Sequence, residues 1–135
     1  MDPLFYDPSD IPRPPDEVRI RDLRASLHPD GRRVAVFLEL TPFIQPPNAE
    51  LRLSNSQDEE LASASIIEAF NPKMELILHM RGQRLDPPFQ LIATIYYWLE
   101  NETVDNQSFA RSRRVVDERQ VSFGDLQSPE SQVYG

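Results

Sequence analysis

Residues equipped for acid–base or metal chemistry are few and scattered in this chain. It has two histidines, His28 and His79. A histidine can exchange a proton near neutral pH or bind a metal through a ring nitrogen. His28 belongs to a turn, HPDG, and His79 to the outward parity of KMELILHMRG, each without a local partner. A shared site therefore needs the fold to bring them together. Only four glycines are present, none clustered, so there is neither a strained serine elbow nor a phosphate-cradling loop. Cysteine is absent, which excludes disulfides, thiolate zinc sites and cysteine nucleophiles. The carboxylates form two knots, Asp58-Glu59-Glu60 and Asp117-Glu118. Calcium needs six to eight convergent oxygens, and neither knot has the spacing of an EF-hand loop. Both read as solvated acidic segments. The expectation is no catalysis, no metal and no cofactor. The rival reading is a hydrolase or metal-dependent enzyme built on His28, His79 and the acidic loops.

Arg111, Arg113 and Arg114 form the one basic cluster, with Arg119 following. Nucleic acid and anionic membranes both require an uncompensated basic field. A net charge of −8, with Asp117 and Glu118 inside the cluster, argues against both. No stretch reaches the roughly 18 apolar residues of a membrane helix. The opening MDPLFYDPSDIPRPPDE has no basic and apolar leader pattern, so cytoplasmic location is expected. On that reading the sequons at Asn101 and Asn106 are chance matches.

The most informative stretch is LDPPFQLIATIYYWLE, Leu85 to Glu100. Read with period two, one face carries Phe89, Leu91, Ala93, Ile95, Tyr97 and Leu99, a core face. The other carries Gln90, Ile92, Thr94, Tyr96, Trp98 and Glu100, and Ile92, Tyr96 and Trp98 demand a cover. Four covers are open. They are the chain's own Arg stems or its Leu4-Phe5-Tyr6 segment, a second copy, a different protein, and a sugar or other small ligand stacked on the aromatic row. Contiguous apolar patches of several hundred Å² on monomers usually mark contacts. Arg52 and Arg113 frame the row, making the candidate binding residues Ile92, Tyr96, Trp98, Arg52 and Arg113.

The elements that position these residues are strands. Residues 1–16 hold five prolines and read as an extended arm, with Pro12 to Pro15 forming a PxxP. Val18 and Ile20 share one parity and Leu23, Ala25 and Leu27 the other, predicting a bulge near Arg21-Asp22. HPDG is a tight reversal. Val34, Val36, Leu38 and Leu40 point inward on the next strand. PFIQPP, Pro42 to Pro47, breaks the ladder and carries the chain to another sheet. Short strands follow around Leu51-Leu53, in LASASIIEAF and in KMELILHMRG, where Met74, Leu76, Leu78 and Met80 point inward. After the two-faced strand, FARSRRVV with VDERQVSF supplies one last long or broken strand. Residues 124–135 read as a flexible polar tail.

About seven short strands without an amphipathic helix predict an all-β antiparallel sandwich over residues 17–123. In strand count and spacing this resembles the immunoglobulin-like or fibronectin type III-like superfold. It departs from that pattern in having no cysteine pair around a tryptophan, and in having Phe89 where a tyrosine corner is expected. Such a fold implies a shape and not an activity. The reading is a non-enzymatic protein-interaction or assembly module, with a protein partner or a homodimer. The alternatives are a carbohydrate- or small-ligand-binding sandwich and, behind it, the enzyme above.

Overall fold

The computed structural model describes residues 11–82, 85–99 and 112–124. Seven strands are present: β1 (Ile20–Leu27), β2 (Arg33–Leu40), β3 (Asn48–Ser54), β4 (Glu60–Ile66), β5 (Lys73–His79), β6 (Phe89–Trp98) and β7 (Arg113–Phe123). They form two antiparallel sheets, ordered β1-β2-β5 and β4-β3-β6-β7. The molecule is an all-β sandwich, compatible with the immunoglobulin-like arrangement. In the antibody constant-type order the fourth strand joins the sheet of the first two. Here β4 stays beside β3 as a hairpin partner.

Alternation explains the core. Val34, Val36, Leu38 and Leu40 from β2 meet Leu51 and Leu53 from β3 and Phe89, Leu91, Ala93 and Ile95 from β6. The predicted bulge is present, as a register shift between Ile20 and Asp22 opposite β2. It moves the inward parity from Ile20 to Leu23, both buried. The HPDG turn closes as its sequence requires. Gly31 adopts φ 74°, and the Asp30 carboxylate accepts hydrogen bonds from the N–H groups of Arg32 and Arg33 and from the Arg33 Nε. These bonds, the Arg32 N–H first, hold Asp30 well below the usual carboxylate range. The crossover after Leu40 does pass from one sheet to the other.

Three expectations are modified. The extended arm gives way at Pro15–Glu17 to a single 3₁₀ turn with proline at its start, where a missing N–H costs nothing. Before it, Arg13 bridges to Phe43 in a parallel sense. Leu99, assigned to the core face, is exposed, because β6 ends at Trp98 and the Leu99 N–H bonds to the Ser112 carbonyl instead. Met74 and Leu76 are inward but only partly buried, since β5 is an edge strand. Leu4-Phe5-Tyr6, both sequons, Arg111 and the tail beyond Gly124 lie outside the described residues.

The hydroxyl that Phe89 lacks is supplied elsewhere. Tyr97 is buried at the far end of β6, and its hydroxyl donates to the Gln45 carbonyl at 2.8 Å, tying the crossover to the core. Burial pushes the Tyr97 pKa from 10.0 up to about 12. A group whose folded pKa is raised contributes stability that is complete below its unfolded value and lost as pH climbs through the folded one. Stability should therefore fall between pH 10 and about 12. Denaturant titrations of Tyr97→Phe should show a flatter alkaline limb and a lower stability at neutral pH.

Candidate functional site

The outer face of the four-stranded sheet is built around β6. Register places Ile92 between Arg52 on β3 and Gln120 on β7, Thr94 between Glu50 and Glu118, and Tyr96 between Asn48 and Val115. Trp98 lies opposite Arg113. All five candidate residues thus share one face, although Arg52 and Arg113 sit on strands either side of β6.

Arg113 leans across the sheet. Its guanidinium lies 4.7 Å from the centre of the Tyr96 ring and reaches Glu50 on β3 at 3.1 Å. The Glu50 hydrogen bond raises the Arg113 pKa further, so the strap is charged throughout the physiological range. Trp98 meets Tyr96 edge to face, with ring centres 5.3 Å apart. Tyr96 is consequently buried at 4% exposure. The chain's own arginine stem is the roof over this ring, one of the covers open from the sequence. Arg52 is engaged with Glu60 at 3.2 Å, and the Thr94 hydroxyl donates to Glu118 at 2.9 Å. Trp98 and Ile92 remain partly accessible, and Val115 is exposed.

The histidines lie on one row of the other sheet. The His28 N–H donates to the Arg33 carbonyl, and His79 is the register partner of Arg33 on the opposite side. Arg33 separates them, and its own partner is Asp30. Among the described residues no group of three or more His, Asp or Glu side chains is arranged to hold a metal ion.

The acidic knots do structural work that sequence reading missed. The Asp117 carboxylate accepts the Ile20 N–H at 2.8 Å, and Arg119 donates to the Ile20 carbonyl at 2.8 Å. Two side chains of β7 thus satisfy the bulged edge of β1 in place of a strand. In the β3–β4 loop, buried Asn55 accepts the N–H groups of Gln57 and Glu59 and donates to the Glu59 side chain. The isolated bulge signal in β1 was legible, but not the partner that would fill it.

A larger feature also escaped the strand-by-strand reading. Among the described residues seven large hydrophobic side chains are exposed, and Ile11, Ile44, Ile67, Phe70, Leu99 and Val115 of these lie at one pole, with Ile77 elsewhere. That pole gathers the entry to β1, the β2–β3 crossover, the β4–β5 loop and the β6–β7 end. Its parts are tied together. The Arg13 N–H bonds to the Pro42 carbonyl, the Ile44 N–H to Arg13, the Ala69 N–H to Pro47 and the Leu40 N–H to Pro72. The opposite pole, with the His28–Arg32 turn and the Asn55–Glu59 loop, exposes mainly polar groups.

No protein-family model matches the sequence, and no curated protein matches it. Solved structures similar to this chain include β-glucuronidase from Ruminococcus gnavus in complex with D-glucuronic acid, at 18% identity and TM-score 0.47. The same enzyme in complex with D-glucaro-d-lactam gives 18% and 0.46. Each alignment covers 80% of this chain and 16% of the enzyme chain. The chain therefore spans about a sixth of that protein's length, and the likeness carries nothing about activity.

Proposed function

We propose that this chain is a non-enzymatic interaction module of the immunoglobulin-like, fibronectin type III-like kind, which binds another protein through its apolar pole. One observation carries the reading: six exposed large apolar side chains sit on segments that hydrogen bonds hold in fixed relation. Exposed apolar groups gathered at one end of a soluble sandwich, on ordered loops, have the character of an interface core. Trp98, Tyr96 and Arg113 stand at its margin, supplying the aromatic and arginine chemistry enriched at binding hot spots. Arg52 and Ile92 lie farther along the same face and frame it.

The test uses immobilised wild type and a Phe70→Ser/Val115→Ser variant against the soluble extract of the source cells. A protein retained by wild type, displaced by free wild type and held at least about tenfold more weakly by the variant supports the reading. Equal retention by both overturns it. The one tryptophan of the chain adds a readout, because a purified partner covering Trp98 shifts its emission to shorter wavelength.

A further inference from the structure

The charge of this chain is divided unequally between the two poles. Two rows of register partners mark the division: Leu23, Leu38 and Met74 on one sheet, and Ser65, Glu50, Thr94 and Glu118 on the other. Residues 1–23, 38–50, 65–74 and 94–118 belong by chain order to the apolar pole. They hold fourteen of the 22 acidic residues and seven of the 14 basic ones. The remaining stretches hold eight acidic and seven basic residues. Seven of the eight net negative charges therefore fall to the half that exposes Ile44, Ile67, Phe70 and Val115. The described residues of that half contribute eight acids against six bases. The rest of the excess comes from residues 1–10 and 100–111, which join the pole at Ile11, Leu99 and Ser112.

The cations of that half are already engaged. Arg13 lies 3.6 Å from Glu17, Arg21 3.7 Å from Glu39 and Arg113 3.1 Å from Glu50, and Arg114 pairs with Asp16. Arg19 donates to the carbonyls of Asp16, Val18 and Val116. Five of the six described cations are thus matched within the chain, the sixth being Lys73 at the start of β5. An acidic partner would have to displace bonds already made. A basic one meets carboxylate charge in excess.

We propose that the protein bound at the apolar pole is basic, presenting an apolar centre ringed by Lys and Arg. This rests on the reading of the pole as an interface and adds the chemistry of the partner. Apolar side chains supply the contact, and complementary charge around them supplies steering and selectivity. A second copy is the least suited occupant, because it would set two halves of the same sign against each other. Nucleic acid and anionic membranes meet the same repulsion. The field draws a basic partner to this end of the sandwich, so association quickens at low ionic strength.

Two synthetic helical peptides of about 14 residues, four turns, provide the probe for isothermal titration calorimetry. One carries Leu along one face and Lys along the other, and its counterpart has Glu in place of every Lys. The Lys peptide should bind wild type and Ile77→Ser alike. It should bind Phe70→Ser/Val115→Ser at least about tenfold more weakly, with an unchanged circular dichroism spectrum. The Glu peptide should bind wild type at least about a hundredfold more weakly than the Lys peptide. Raising NaCl from about 50 to about 300 mM should weaken the Lys peptide about tenfold. If both peptides bind alike and Phe70→Ser/Val115→Ser weakens both, the pole stands as an interface and the basic partner is overturned. A Lys peptide held equally by wild type and Phe70→Ser/Val115→Ser, or not held at all, also overturns the proposal. Retention from the cell extract then decides the pole alone.

Discussion

Phe89→Ala should cost about 3–5 kcal/mol of folding stability, the range for deleting a large aromatic from a packed core. Phe89 is 2% exposed at the start of β6 and stacks tilted against Phe123, ring centres 5.4 Å apart. Its ring also occupies the space beside Gly124, where an added Cβ would sit 2.7 Å from a ring carbon. Gly124 has φ 76°, a conformation that favours glycine. The ring, Phe123 and Gly124 therefore close the end of the β6–β7 ladder as one unit. Such a loss is a large share of the roughly 5–15 kcal/mol typical of a domain. Urea unfolding followed by Trp98 emission measures it, and a loss under about 1 kcal/mol contradicts the packing described here.

Asp117→Ala should be the second largest effect, at about 1–3 kcal/mol. The substitution leaves the Ile20 N–H, partly shielded from water at the β1 bulge, without the acceptor now 2.8 Å away. Arg119→Ala removes the donor to the same residue's carbonyl. Because both side chains hold one peptide segment, the double variant should lose less than the two single losses added together. Coupling between such neighbours runs to about 0.5–3 kcal/mol. Amide exchange at Ile20 offers a local check: it should quicken in Asp117→Ala well before global unfolding. Equal exchange in variant and wild type would show that the carboxylate does not guard that N–H.

How much of this was legible in the sequence follows from the range of each interaction. Period two in VAVFLEL and FQLIATIYYW revealed the strands, because burial on one face acts on every second residue. The bulge near Arg21-Asp22 announced itself as a slip of parity, and Pro42 to Pro47 announced the change of sheet. All of these are local signals. Arg113 over Tyr96 was foreseeable only as a class of contact, since it needs the pairing of β6 with β7 and a side chain leaning across to Glu50. Asp117 looked like a solvated acid because its partner is 97 residues away. The apolar pole was hidden for the same reason. Ile44, Ile67 and Phe70 each sit in a loop, where one apolar residue says little, and only the folded chain gathers them. Leu99 misled because alternation was followed one residue past the point where the strand ends.

The clamp on Ile20 has a consequence for the making of the protein. The bonds to Asp117 and Arg119 span 97 and 99 residues, so β1, the first of the described strands in chain order, is completed by the last of them. At about 5–20 residues per second, the ribosome delivers Asp117 roughly 5–20 s after Ile20. Throughout that interval Ile20 lacks these two bonds, and the charges of Arg21, Asp22 and Arg24 on the same strand are of the kind that discourage an edge from recruiting another strand.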